Sequence, residues 1–413
     1  MEIEYDGSEV AREYAETTRE LLDEVVIPRE RELLRNRDEF ESRDRLNSAV
    51  DELRDEARER GVYAPQIPEE YGGQGLSLTD VLPTFEEAGR SLLGPGALRI
   101  SAPDEGNMHT IELAGSEEQK ERWLRPLVKG EARSAFSMTE PHGGAGSDPK
   151  MIRTTAERDG DEWVIDGHKW WTSQGVEADV YLVMARTDDD AHPYRGCSIF
   201  LVPADADGVE VVRDVPHMGE SGMSHAEMRY DNVRVPDEAM LGTENAGFMI
   251  AQQRLGPARL THCMRFAGMA DRALGIAVAY ASNRHAFGDR LADKQETRFK
   301  IVDARTRLHA VRTMVRHAAR EVENDRRARV EVAMSKTFAA NVVQEAIDTA
   351  VQVCGGNGIG KDLPLADFYE NVRAFRIVDG ADEVHKRSIA KRVFDDDAVD
   401  DSELENLTRY GGF

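Results

Sequence analysis

Ala135-Phe-Ser-Met-Thr-Glu-Pro-His-Gly-Gly-Ala-Gly-Ser-Asp148 and, a little further on, Asp166-Gly-His-Lys-Trp-Trp-Thr-Ser173 decide how this chain is read. The first stretch ends in a glycine-rich loop with hydroxyls on both sides. The second is an aromatic strand that ends in two more hydroxyls. A planar ring system with polar edges needs such a surface: one aromatic face to lie against, and short donors at the rim.

Working outward, the texture changes on both sides of this block. Before it, Ala11 to Leu34 places Tyr14, Leu21, Leu22, Val25 and Val26 at near-helical spacing, and Leu46, Val50, Leu53 and Ala57 form a second stripe that stops at Gly61. Ser116-Glu-Glu-Gln119 has the spacing of a capping box. Within the block, Trp163-Val-Ile165 followed by Asp166-Gly167 and another aromatic run reads as a hairpin. Tyr181–Met184, Ser198–Val202, Val209–Val212 and Met228–Val235 read as further strands of an antiparallel sheet or barrel. After Gly247, Arg259–Ser282, Gln295–Glu323 and Ala328–Val353 are long enough to pack as a helical bundle. The order is helices, sheet, helices, without the βαβ alternation of a nucleotide-binding α/β fold. The expectation is an α+β multidomain chain: a helical domain over 1–132, a β-domain over 133–242, a helical bundle over 243–394 and a solvated acidic tail over 395–413.

Bulk composition narrows the function. A chain of 413 residues exceeds one small core. No apolar run approaches the roughly 18 residues of a membrane span, and the acidic N-terminus lacks the pattern of a signal peptide. Cys197, Cys263 and Cys354 are too few and too scattered for a disulfide framework or a zinc site, which fits a reducing cytoplasm. A net charge of −25 argues against nucleic acid as a partner. Ten of the 53 basic residues are lysine, and acidic residues are spread along the whole chain. That pattern suits a halophile's cytoplasm; a merely acidic mesophile protein is the alternative.

The two opening stretches resemble the flavin-binding segment of acyl-CoA dehydrogenases, and the resemblance runs from about Gly61 to Arg392. Ile67-Pro-Glu-Glu-Tyr-Gly-Gly73, Gly115-Ser-Glu-Glu-Gln-Lys120, Asn232-Val-Arg-Val-Pro236 and Gln352-Val-Cys-Gly-Gly-Asn-Gly358 follow in the family's order. The fold this implies is an N-terminal helical domain, a central β-domain and a C-terminal four-helix bundle. FAD is the implied cofactor, and a homodimer or homotetramer the implied assembly.

Carried over position by position, the resemblance puts Phe136, Met138 and Thr139 at the flavin, Trp171 against its face and Ser173 at N5, where the family usually has threonine. Read without its neighbours, Trp171 is a buried strand aromatic. The loop His142–Ser147 is two residues longer than the commonest family form, and Ser147 is expected at the flavin or the CoA arm. Arg284, Phe287 and Gln295 match the segment that reaches the FAD of a neighbouring subunit, although Arg284 on its own is an ordinary surface arginine. Gln352, Gly355 and Gly356 should approach the adenosine half. Gly355-Gly-Asn-Gly-Ile-Gly360 is no dinucleotide fingerprint, because it follows a helix and not a strand. Asp382 and Glu383 complete the cofactor set, with His385 beside the flavin as well.

The resemblance makes Asp379, in Asp379-Gly-Ala-Asp-Glu-Val-His385, the catalytic base where most members have glutamate. A branch with Asp-Gly-Pro-Asp-Glu-Val-His is most similar, and Ala381 replaces its proline. A helix-capping role for Asp379 is the alternative. Arg259 and Gly380 join the substrate set. His262 either lines the same cavity or is a satisfied bundle histidine. The implied reaction removes the α-proton of an acyl-CoA at Asp379 while a hydride leaves the β-carbon, and burial should raise the Asp379 pKa toward working pH. An electron-transfer flavoprotein is the implied electron acceptor. An oxygen-using acyl-CoA oxidase and an inactive acyl-CoA-binding protein are the competing expectations.

Overall fold

The computed structural model describes residues 7–219, 223–324 and 328–396. It opens in helices. α1 (Glu9–Leu21) begins where the Ser8 hydroxyl accepts a hydrogen bond from the Ala11 amide, and α2 (Ile27–Arg35) follows a wider turn at Leu22–Val26. α3 (Arg43–Glu59) buries Leu53 and Ala57 and ends just before Gly61. α4 (Leu78–Gly89) is capped by Ser77, and α5 (Asp104–Ala114) leads to the capping box, which forms between Ser116 and Gln119 as its spacing implies.

The middle of the chain is a curled seven-stranded sheet. Its strands are β1 (Ser134–Ser137), β2 (Thr155–Asp159), β3 (Glu162–Ser173), β4 (Val180–Arg186), β5 (Cys197–Pro203), β6 (Val209–Asp214) and β7 (His225–Pro236). The order is β1-β4-β2-β3-β7-β6, with β5 on the free side of β4. Alternate residues of β3 and β7, among them Trp163, Ile165, Met228, Tyr230, Val233 and Val235, form a core of their own with β4 and β5.

Two sequence expectations fail here. Asp166-Gly167 is not a hairpin turn. β3 runs straight through it with a register shift, and the Asp166 carboxylate accepts the Asn232 amide of β7, satisfying the irregular spot on the facing strand. The hairpin closes one step earlier, at Gly160-Asp161, with Gly160 at φ +72°. The sheet is also not wholly antiparallel: β1 lies parallel to β4.

Helices return with α6 (Gly247–Asn283), α7 (Gln295–Glu323), α8 (Arg329–Cys354), α9 (Leu365–Arg373) and α10 (Asp382–Lys391). α8 packs on α6, α7 and α10. The expected arrangement of helical, β and helical domains is therefore present. The acidic tail lies outside the described residues, apart from Asp395 and Asp396, which close the last helical turn.

Two joints hold the parts in register. α4 crosses α6 at Gly89 and Gly268, where backbones touch: a Cβ on Gly268 would stand 1.8 Å from the Glu86 carbonyl oxygen. Near the start of α5, Asp104 pairs with Arg99 at 2.8 Å, both nearly fully buried, and accepts the Ser134 amide and hydroxyl at the head of β1. Each joint leads into the cleft described next.

Candidate active site

A cleft of about 2600 Å³ opens where the three parts meet. The sheet supplies one wall. β3 bulges between Lys169 and Thr172, and Trp171 sits in the bulge at φ +53°. Bulges re-aim side chains, and a left-handed backbone at a bulky residue is strain of the kind found at functional sites. Here the indole faces the cleft and stays 42% exposed, so Trp171 is no buried strand aromatic.

Beside it, the Thr139 carbonyl accepts the Trp170 amide at 3.0 Å, which ties the end of the Ala135–Thr139 stretch to β3. Lys169 is completely buried. Its ammonium donates to the Met138 carbonyl and to the Glu140 carboxylate, each at 3.0 Å. Glu140 also accepts the amides of Ala145, Arg153 and Thr154 and the Thr154 hydroxyl. Burial pushes the Glu140 carboxyl up, but Lys169 and these donors outweigh it and hold it below the usual range. The loop after Glu140 thus packs against one anion and leaves Ser147 at the cleft.

The helical part of the lining carries the carboxylate. Asp379 has φ +55° and is followed by Gly380 at φ +99°, where a Cβ would press on the His385 ring at 2.8 Å. Arg259 donates to the Asp379 carbonyl at 2.7 Å, His385 Nε2 to the same oxygen at 3.2 Å, and Lys336 to the Gly380 carbonyl at 2.8 Å. Three side chains therefore fix this corner. Asp379 is not a helix cap, since α10 has Ala381 at that position without a side-chain bond.

The electrostatics depart from expectation. Burial raises the Asp379 pKa, but the positive charges around it prevail and hold it below the usual carboxylate range. His262, 3.6 Å from the carboxylate, is pushed down to about 4 by burial and by Arg265, so it is neutral at pH 7. The charges beside Asp379 that persist at neutral pH are those of Arg254, Arg259 and Lys336. His262 satisfies both sequence readings: its Nδ1–H donates to the Ala258 carbonyl, and its ring lines the cleft.

Phe136, Met138, Thr139, Ser147, Trp171, Ser173, Arg259, His262, Asp379 and Gly380 all border this one space. Other expected residues do not. Asp382 is buried behind the corner, bound to Arg376 at 2.9 Å and Asn341 at 3.0 Å, and Glu383 is exposed on the outer face of α10. From this helix it is Val384, His385, Arg387, Ser388, Ala390 and Lys391 that reach the cleft, with Ala381 just before it. Arg284, Phe287, Gln295, Gln352, Gly355 and Gly356 lie on exposed surface away from it, with Phe287 98% exposed.

Three residues of the site had no place in the sequence reading. Lys336 holds the Gly380 carbonyl. Arg254 stacks on Phe136 at 4.6 Å and bonds Asn107. Glu105 is 6% exposed on the cleft wall, and burial lifts its pKa to about 7 despite Arg254 and Arg265. The signal for Arg254 was available: it stands four and eight residues before Ala258 and His262, on one helical face.

Such a cleft fits a flavin. It offers an exposed indole held in strained backbone, hydroxyls from Thr139 and Ser173 on the same wall, and a buried His217 Nε2 without a hydrogen-bond partner among the described residues. The chain belongs to the acyl-CoA dehydrogenase family, FAD-dependent oxidoreductases. Family models described as acyl-CoA dehydrogenase N-terminal, middle and C-terminal domains match residues 8–131, 135–233 and 245–394. The chain is 43% identical to a probable acyl-CoA dehydrogenase FadE2 of Mycobacterium tuberculosis, over 83% of this chain and 84% of that protein. It is 36% identical to acyl-CoA dehydrogenase family member 11 of Gallus gallus over 90% of its own length, and spans 49% of that longer protein. Among solved structures, a putative acyl-CoA dehydrogenase from Mycobacterium abscessus superimposes with a TM-score of 0.86 at 38% identity, covering 98% of this chain and 100% of that one.

Proposed function

We propose that this enzyme converts an acyl-CoA thioester to the 2-enoyl-CoA, with Asp379 as the base, and passes the electrons to an electron-transfer flavoprotein. The observation that carries the reading is one shared cleft: a carboxylate in a pinned corner of the helical part borders the same space as Trp171 of the sheet.

FAD, when bound, supplies the hydride acceptor. Phe136, Met138, Thr139, Trp171 and Ser173 would hold its ring, and Ser147 its edge or the CoA arm. Asp379 takes the α-proton. A base must be deprotonated before it acts, and the surrounding cations keep Asp379 so. A backbone N–H beside it helps polarise the thioester carbonyl, which acidifies the α-carbon. Apolar substrate entering the cleft displaces water and raises the basicity of the carboxylate. Arg259 and Lys336 fix the corner, so the carboxylate does not swing away from the proton it must reach.

Arg284, Phe287, Gln295, Gln352, Gly355 and Gly356 serve a second subunit's cofactor in this reading. Their exposure supports it, above all that of Phe287 on the tip of a short hairpin at φ +54°.

The test mixes FAD-loaded protein with acyl-CoAs of several lengths without oxygen and follows the flavin absorbance. Bleaching by at least one of them is expected. Asp379→Asn should keep the yellow colour and lose on the order of 10²–10⁴ in bleaching rate. Bleaching of the variant at the wild-type rate would remove Asp379 from the mechanism. Protein that takes up no FAD would remove the mechanism altogether. Rapid reoxidation in air would point to oxygen as the acceptor.

A further inference from the structure

The register of β3 on β7 sets Ser173 directly opposite His225. Their side chains meet across the strands, Ser173 Oγ to His225 Nδ1 at 2.9 Å. The His225 ring also lies 5.7 Å from the Trp171 indole and 4.3 Å, edge on, from the His217 ring. All four residues border the cleft. His225 is anchored from both sides. Its own amide donates to Asp214, and the preceding Ser224 accepts the amides of Gln174 and Val176 from the turn after β3. The imidazole is thus built into the wall beside the hydroxyl.

A serine hydroxyl has one proton to give. If His225 Nδ1 is bare, it takes that proton. If Nδ1 carries hydrogen, it donates to Ser173 Oγ, and the serine proton is left for a ligand. Serine also lacks the methyl that restricts χ1 in threonine, so something else must hold the hydroxyl in place.

We propose that His225 is a positioning residue that aims the Ser173 hydroxyl at the flavin, through an Nδ1–H···Oγ hydrogen bond. This rests on the reading that FAD lies against Trp171 and Ser173. The pair acts as one donor: the imidazole orders the hydroxyl, and the hydroxyl meets the ring nitrogen. His217 packs edge-on against His225 and keeps its plane.

The experiment measures the flavin reduction potential of FAD-loaded wild type, His225→Phe, Ser173→Ala and the double variant. A donor at the ring nitrogen interacts differently with the oxidised flavin, whose nitrogen accepts, and with the reduced flavin, whose nitrogen carries hydrogen. Each single change should shift the reduction equilibrium in the same direction by about tenfold, roughly 30 mV for a two-electron couple. In the double variant the histidine change should add nothing to the serine change. His225→Asn, whose amide can donate from nearly the same place, should restore the wild-type potential. An effect of His225→Phe that persists in the Ser173→Ala background, or no shift at all, would overturn the proposal. A second readout needs no variant. The ¹⁵N spectrum of wild type should show hydrogen on His225 Nδ1 once FAD is bound; hydrogen on Nε2 alone, loaded and unloaded, would overturn it too. Failure of wild type to bind FAD would sink the flavin reading itself, whereas normal uptake with additive effects would sink the histidine assignment alone.

Discussion

At the scale of single residues, the cleft sets two carboxyl groups on divergent courses. Asp379 stands among Arg254, Arg259 and Lys336 and is held low, whereas Glu105 is buried with too little compensation and lifted to about 7. The two should therefore separate in a pH profile. kcat/KM reports groups of the free enzyme. Protonation of Asp379, held below the usual carboxylate range, should lower it only at the acid end of the profile. A limb near pH 7 belongs to Glu105, and Glu105→Gln should abolish it; a limb that survives this change would be assigned to the wrong group. Stability gives an independent check. A raised carboxyl costs nothing below its ordinary pKa near 4.5, costs more as pH climbs toward 7, and costs its full amount above. At full effect the penalty is on the order of 3 kcal/mol. Urea unfolding of the FAD-free Glu105→Gln protein should show a gain at pH 8 and little change at pH 4.5. An equal change at both values would mean that Glu105 is not desolvated.

At the scale of elements, the glycines of α6 make opposite predictions. Gly268 lies where α6 meets α4, and any side chain there must push the helices apart. Gly268→Ala should cost about 2 kcal/mol, as overpacking does. Gly275, on the same helix, has open space where its Cβ would be, and Gly275→Ala should add up to about 1 kcal/mol through helix propensity. Thermal unfolding of the two proteins decides it; shifts of the same sign would mean that the helix crossing is looser than drawn. Legibility in the sequence follows the same division between local and tertiary causes. The helical stripes, the Ser116 capping box and the strands after Tyr181 could be read because each is settled within a few residues. Asp166-Gly167 misled because Asp159-Gly160 offers the same turn chemistry, and the choice depends on which strand β7 pairs with. The parallel pairing of β1 with β4 joins segments far apart in the chain, so no local pattern announces it. Lys336 and Glu105 carry no local mark of their role because only packing shows that they are enclosed. The bulge that turns Trp171 into the cleft is likewise a consequence of register, although the residue type alone drew attention to it.

At the scale of the whole molecule, charge is the dominant feature. There are 78 acidic residues against 53 basic ones. Many of the basic groups are engaged in local surface pairs such as Arg125–Glu121 and Arg290–Asp293, which solvent screens. The unbalanced acidic charge therefore repels across the folded surface. Unfolding relieves that repulsion by spreading the charges, which lowers stability in dilute buffer. Added salt shortens the reach of the repulsion from about 10 Å at 0.1 M to about 3 Å at 1 M. The protein should accordingly melt several degrees higher in 1 M KCl than in 0.1 M. The shape of the curve separates this cause from salting-out of apolar surface. Screening is nearly complete once its range falls below the spacing of neighbouring charges, so most of the gain should come below 1 M, and an uncharged osmolyte should not reproduce that early rise. A melting temperature that is flat up to 1 M and climbs only beyond it would show that the excess carboxylates do not govern stability, and with it would go the case for a protein adapted to a salty interior.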